Sequence, residues 1–473
     1  MMLIGRIYER SVMETMLDGN QAELLAVVGR RRIGKTFLIR EVYKKQLVFE
    51  FVGIQNATNK EHLMAFLYQI KDTFPDTQFT SPFKNWIEAF HALTKELSQL
   101  KSQEKPVVFF DEFPWISSRK SDFLKAFSYF WNAWASKKTI VVAVCGSSTS
   151  WMVDNLINNK GGLHNRITRT IYLSPFDCLE TKEFLLKKGL KFTDEQITEI
   201  YMAMGGVPFY LNLIPQGSSV SQSLQEVFFT SQSPLKNEFQ NLYASLFLHF
   251  ETHVSIIKAC FSKWKGLTHS EIVATAGLKS GGTASKCIKE LENAGFLTAI
   301  QPFGNQKKDT LFRLSDEFSI FYLQFIDKKK NADFQSISQT QSYKIWKGFA
   351  FENFCFKHIK RIKEILGISG ILANTSSYMA KSTEQKGGFQ IDLLLDRKDD
   401  CINLCEIKYY DTPFKITKKI GEEWLSKIEN FRVQAKTKKT IFFTLISKSG
   451  VQVNDFQGFL IDKSIVLKDF FGR

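Results

Sequence analysis

The stretch that most restricts this chain covers residues 24–36 and reads LLAVVGRRRIGKT. A continuous apolar run ends at Gly29, Arg30, Arg31, Arg32 and Ile33 follow, and Gly34, Lys35 and Thr36 close the pattern. An unbroken apolar run suits a strand buried on both faces of a parallel sheet. Gly-x-x-x-x-Gly-Lys-Thr directly after it is the spacing of a loop that wraps phosphate. The glycines allow a turn tight enough for backbone N–H groups to converge on phosphate oxygens, and a helix opening near Lys35 adds its positive end. On this reading Gly29, Arg30, Arg31, Arg32, Ile33, Gly34, Lys35, Thr36 and Phe37 contact a nucleotide. Lys35 bridges the β- and γ-phosphates and the Thr36 hydroxyl ligates Mg²⁺.

Such a loop needs an acidic partner on a neighbouring strand. Residues 107–110, VVFF, form a second buried run that ends in Asp111 and Glu112. Carboxylates at the C-terminal end of a strand fall where open α/β sheets bind ligands. Asp111 is expected to help hold the Mg²⁺, and Glu112 to polarise the attacking water; capping of the next helix is the plainer alternative. Residues 139–146 form another buried run, followed by Ser147, which is either a sensor of the γ-phosphate or a turn residue. Arg166 follows Gly161 and Gly162 ahead of a strand at 170–173. It is either an arginine finger acting within its own subunit or across a homo-oligomer, or an ordinary exposed arginine. Residues 175–214 are mostly helical, with a break and restart at Gly205, Gly206, Val207 and Pro208, as in a lid over a nucleotide.

Composition narrows the class. A net charge of +15 makes an anionic partner plausible. The seven cysteines include no Cys-x-x-Cys pair, which argues against a disulfide framework or a structural zinc site. No apolar run approaches the roughly 18 residues of a membrane span. No signal peptide is evident at the start, so a reducing cytoplasm is the default.

Residues 267–300 read as a helix capped by Thr268 or Ser270, a glycine-containing turn and a second helix near 284–294. Strands beginning at 296 and at 310–314 complete a helix-turn-helix with a wing. Lys279, Lys286 and Lys289 would meet DNA phosphates if the module binds DNA; interdomain spacing is the alternative. A charged stretch at 328–341 is the best linker.

The tail carries a second constellation. An amphipathic helix at 348–361 holds Glu352. Strands opening near 388 and at 402–407 hold Asp392 and Glu406, joined by a polar turn at 397–400. An antiparallel pairing brings the two acids together. With the Ile407 carbonyl and Glu352 they make an oxygen-rich Mg²⁺ or Mn²⁺ site. Lys408 lies on the same strand face as Glu406 and is placed to orient an attacking water or stabilise a pentavalent phosphate. A lysine-bearing helix at 414–431 and a strand at 440–447 follow.

Taken in order, GRRRIGKT, VVFFDEFPW, VVAVCGSS, GGLHNR and GGVPFYL resemble the archaeal-type ATPases, which are AAA-like, STAND-related P-loop proteins. The resemblance covers about residues 1–240. It implies that Lys35 and Thr36 bind ATP and Mg²⁺, that Asp111 and Glu112 are the second acidic motif, and that Arg166 is the finger. Residues 313–326 resemble the helix that follows the winged domain in that family. The tail, GGFQIDLLLD with CINLCEIKYY, resembles the PD-(D/E)xK nuclease-like domain often fused to these ATPases, with Ile391 where the name has proline. The expected fold is therefore α/β and multidomain. It comprises a P-loop NTPase core with a parallel sheet (1–174), a helical lid (175–245), a winged helix-turn-helix (246–327) and a restriction-endonuclease-like α/β domain (342–473). The expected function is ATP hydrolysis coupled to a metal-dependent nuclease acting on DNA, with Asp392, Glu406 and Lys408 catalytic. The alternative is a nucleotide-controlled DNA-binding or signalling switch whose nuclease-like domain is inactive.

Overall fold

A computed structural model describes residues 3–101, 104–117, 121–247, 249–279, 281–304, 306–327, 333–380, 388–452 and 455–472. Part of the expected linker, 328–332, lies outside them. The chain divides into two units, Met1–Pro175 and Phe176–Arg473.

The first unit is built on five parallel strands: β1 (Glu23–Val28), β2 (Leu47–Val52), β3 (Val107–Asp111), β4 (Val141–Gly146) and β5 (Arg169–Tyr172). Their order is β2-β3-β4-β1-β5. The three inner strands are buried at every residue, which is why they read as unbroken apolar runs. Alternate residues face opposite layers. Leu24, Ala26, Val28, Phe110 and Val144 pack under the helices Asn59–Thr73, Trp86–Gln99 and Phe123–Ala133. Leu25, Val27, Phe109 and Cys145 pack under Ile7–Asp18 and Lys35–Val42. Much of the chain's phenylalanine is spent on the first face, with edge-to-face contacts such as Phe113–Phe127 at 4.9 Å and Trp86–Phe123 at 4.7 Å.

The second unit opens with helices Cys178–Lys187, Asp194–Met204 and Pro208–Asn212. Gly206 is required between the last two, because a Cβ there would lie 1.9 Å from the Phe176 carbonyl oxygen. Helices Phe250–Phe261, His269–Thr275 and Gly282–Asn293 follow, then an antiparallel pair, β6 (Leu297–Ile300) and β7 (Leu311–Leu314). Of the two candidate caps it is Thr268 that acts, in a reciprocal box with Glu271. Arg313 and Leu314 belong to β7 rather than to the following helix, which starts at Glu317 because Asp316 caps it through the Ser319 N–H.

The C-terminal sheet has order β12-β11-β10-β9-β8. Its strands are β8 (Ala373–Ala380), β9 (Phe389–Arg397), β10 (Cys401–Lys408), β11 (Thr440–Ser447) and β12 (Lys463–Val466). The pairs among β8, β9 and β10 are antiparallel, and those among β10, β11 and β12 are parallel. The crossover from β10 to β11 is the helix Lys418–Gln434. It starts four residues later than the pattern suggested, since Phe414 instead bridges Val451 and Thr417 provides the cap. The helix expected at 348–361 spans Gln341–Lys357 and breaks at His358, and Ile359–Ile365 continues beyond. It is not strongly amphipathic, because Tyr343, Trp346, Phe351, Asn353 and Phe354 are buried around much of its circumference. Among the described residues no helix is long and apolar enough to cross a membrane, and all seven cysteines are free thiols.

Candidate functional site

The first constellation is assembled at strand ends and the second on the adjacent strands β9 and β10. In the first unit the loop leaves β1 at Gly29, where an added Cβ would sit 2.5 Å from the Leu173 carbonyl oxygen of the neighbouring chain segment. Two residues hold the left-handed backbone that the turn demands, Gly34 at φ 91° and Arg32 at φ 73°. The second of these is strained for a side chain with a Cβ. Lys35 begins the helix Lys35–Val42 and is buried, and its ammonium donates to the Arg30 carbonyl at 3.0 Å. Arg30 and Ile33 are buried, while Arg31, Arg32 and Phe37 are half-buried. Arg6 donates to the Ile33 carbonyl at 3.4 Å.

Thr36 donates from its hydroxyl to Asp111 Oδ2 at 2.8 Å, which ties the loop to the end of β3. The other oxygen of Asp111 accepts from the Glu112 N–H and from the Cys145 thiol, each at 2.8 Å. Burial, then the charge of Asp111, pushes the Cys145 thiol well up and keeps it protonated as a donor. The place of Cys145 at the end of β4, next to β3, was not legible without the strand order. Glu112 has φ 47°, and its carboxylate accepts from the N–H and the hydroxyl of Ser147, at 3.1 and 2.8 Å. Ser147 thus orients Glu112 here. Arg166 stands apart. It is exposed in the turn before β5, and among the described residues no hydrogen bond joins its guanidinium to the loop. Pro208 lies in the second unit, in the first turn of Pro208–Asn212.

A hard cation fits this arrangement: the Thr36 hydroxyl and the Asp111 carboxylate are oxygen donors already 2.8 Å apart at the foot of the loop.

In the second unit, β9 and β10 pair with Cys405 opposite Leu393, which sets Asp392 beside Glu406 and Ile407. The observed contribution of Ile407 is its N–H, which donates to Asp392 Oδ2 at 3.0 Å. Lys408 donates to Glu406 Oε2 at 3.0 Å and lies 3.9 Å from Asp392. Lys427, from the crossover helix, holds the other Glu406 oxygen at 2.6 Å. One of several lysines on a polar helix, it had nothing in sequence to single it out. Glu352 comes from the helix Gln341–Lys357. It borders a cleft of about 450 Å³ with Phe349, Ile407 and Lys408, and a cavity of about 90 Å³ with Arg313, Gln390 and Asp392.

The electrostatics are those of crowded acids. Burial, then the charge of Asp392, raises Glu352 to about 7. Burial, then Glu406, raises Asp392. Burial works against the Lys408 ammonium, but Glu406 and Asp392 outweigh it and raise its pKa. Glu406, buried, and Glu352 and Asp392, half-buried, repel one another and offer an oxygen-only donor set of the kind a divalent cation relieves. Lys408 and Lys427 supply part of that relief themselves. Of the helix-turn-helix lysines, Lys286 lies 3.8 Å from Glu290 and Lys289 lies 3.0 Å from Glu292, both exposed.

Residues 5–214 match the model of a family described as an ATPase domain predominantly from Archaea. Over 429 residues the chain is 23% identical to the uncharacterized protein MJECL04 of Methanocaldococcus jannaschii, covering 89% of this chain and 90% of that one. The fold is similar to that of the Walker-type ATPase paby2304 of Pyrococcus abyssi. The TM-score is 0.51 at 17% identity, covering 68% of this chain and 96% of that one. The N-terminal part of the chain therefore carries an archaeal-type ATPase domain on a five-stranded parallel sheet.

Proposed function

We propose that this protein hydrolyses ATP in its first unit and cleaves phosphodiester bonds of DNA in its second, the first activity gating the second. The observation that carries the ATPase half is the 2.8 Å bond from Thr36 to Asp111, which joins the phosphate loop to the acidic strand end. The loop N–H groups and Lys35 bind the phosphates. Thr36 and Asp111 would hold Mg²⁺, which when bound would neutralise phosphate charge. Glu112, oriented by Ser147, accepts a proton from the attacking water. Arg166 is a candidate finger and Pro208 a candidate lid contact.

The nuclease half rests on Glu352, Asp392, Glu406 and Lys408 sharing one cluster from a helix and two adjacent strands. A divalent cation held by the three carboxylates, with the Ile407 carbonyl as a further oxygen, would supply charge to the phosphate being attacked. Lys408 positions the water and stabilises charge on the phosphate oxygens. The helix-turn-helix and strands β6 and β7 are read as a winged DNA-binding module. Cleavage of DNA and RNA with Mn²⁺ tests this: loss of cutting in Asp392→Ala supports it, and equal behaviour of wild type and variant on both substrates refutes it.

A second reading has its own support. Both oxygens of Glu406 are already held by lysines, at 2.6 and 3.0 Å. A carboxylate so neutralised suits a cluster that only stabilises the fold, and the protein would then be an ATP-operated DNA-binding or signalling switch.

A further inference from the structure

Arg313 occupies a position that its strand alone does not explain. It lies on β7, opposite Thr298 of β6, yet its side chain is only 8% exposed. Its guanidinium sits over the Phe356 ring at 5.2 Å and approaches Glu352 no closer than 3.9 Å, beyond hydrogen-bond length. Its buried Nε has no hydrogen-bond partner. An unsatisfied buried donor is costly, and a guanidinium presents a whole fork of donors. The side chain also borders the 90 Å³ cavity that contains Glu352, Gln390 and Asp392, with Lys265 at the same wall. That space holds about three waters at liquid volume, enough for one tetrahedral oxyanion.

We propose that Arg313 is a phosphate-binding residue of the C-terminal cluster, its guanidinium donating to a non-bridging oxygen of a phosphodiester substrate. The inference rests on reading Glu352, Asp392 and Glu406 as a metal-dependent phosphodiester site. The planar fork of Arg matches phosphate oxygens, and the unpartnered Nε and the long gap to Glu352 leave it donors to give. Burial lowers the Arg313 pKa and the charges of Glu352 and Asp392 oppose this only in part, yet a guanidinium keeps its proton in a protein, so the charge stays available to an anion. No anion approaches three carboxylates unaided, so the contact forms only when a divalent cation is present. The basic group thus comes from the strand pair that follows the helix-turn-helix rather than from the sheet that carries the acids. A shift of that pair would withdraw it.

The test uses the full chain and two readouts. Mn²⁺ binding is followed by electron paramagnetic resonance, and short fluorescein-labelled DNA and RNA duplexes are titrated by anisotropy with Ca²⁺ and with EDTA. Wild type should gain affinity for at least one duplex on adding Ca²⁺. Arg313→Met should lose about tenfold or more of that gain, with Mn²⁺ affinity unweakened. Arg313→Lys, which keeps a cation beside Glu352 and guards against misfolding, should lose most of it too. If both variants keep the full gain, Arg313 is only a counterion of Glu352 and the inference is wrong. The same holds if wild type binds Mn²⁺ through Asp392 but gains nothing with Ca²⁺. If Asp392→Ala leaves Mn²⁺ binding unchanged, the reading of the cluster itself fails and takes this inference with it.

Discussion

Lowering the pH should loosen the second unit through a single buried histidine. His358 sits at the break between Gln341–Lys357 and Ile359–Ile365. Its Nδ1 bonds the Phe354 carbonyl at 2.7 Å and its Nε2 meets the Cys178 N–H at 2.9 Å. The rings of Phe354 and Tyr201 lie 4.2 and 5.1 Å away. The neutral ring, with its proton on Nδ1, satisfies both bonds. A second proton would set donor against donor at Nε2. Burial pushes the pKa from 6.5 to about 4, and the bond to Phe354 and the charge of Asp177 oppose this only in part. The unfolded chain therefore binds more protons than the folded one between these values. Stability is complete above about pH 6.5 and is lost as the pH falls towards 4. At ~1.36 kcal/mol per pH unit the interval corresponds to about 3 kcal/mol. Hydrogen–deuterium exchange over residues 341–365, normalised for intrinsic rates, measures it. Wild-type protection should fall by about that amount from pH 6.5 to 4. His358→Gln, weaker at neutral pH, should fall by about 3 kcal/mol less. Parallel losses in the two proteins would refute the assignment.

Other consequences are direct. Gly206→Ala drives a Cβ to within 1.9 Å of the Phe176 carbonyl oxygen and should destabilise the second unit by at least ~2 kcal/mol, seen as a lowered melting temperature. Glu112→Gln should bind ATP analogues normally in a filter-binding assay yet lose about a hundredfold or more in turnover, because it removes the proton acceptor. Lys427→Met frees one oxygen of Glu406 and should tighten Mn²⁺ binding at the C-terminal cluster by about tenfold in a calorimetric titration; weaker binding would mean that Lys427 orders the carboxylate rather than competing for it.

The parallel sheet was legible because its three inner strands are buried at every residue and, apart from Glu23 and Asp111 at their ends, carry no charged side chain, and one of them runs into a loop spacing that few other structures require. The juxtaposition of Asp392 and Glu406 was legible because a short polar turn between apolar runs leaves only antiparallel pairing. What escaped depends on neighbours far apart in sequence. Cys145 reaches Asp111 only because β4 lies beside β3. Lys427 matters because the crossover helix packs its Glu406-facing side over the sheet. Arg313 fell both in the strand read at 310–314 and in the helix-like stretch at 313–326, and the pairing with β6 decides for the strand. The helix that carries Glu352 lost its amphipathic character for a similar reason, since burial around much of its surface removes the period.

The central claim is that one chain holds two separate divalent-cation sites, both built to handle phosphate. A stoichiometric Mn²⁺ titration by electron paramagnetic resonance, with a non-hydrolysable ATP analogue present, tests it most directly. The account predicts two tightly bound ions in the wild type, one in Asp111→Asn and one in Asp392→Ala, with neither in the double variant. Two ions retained by Asp392→Ala would contradict it.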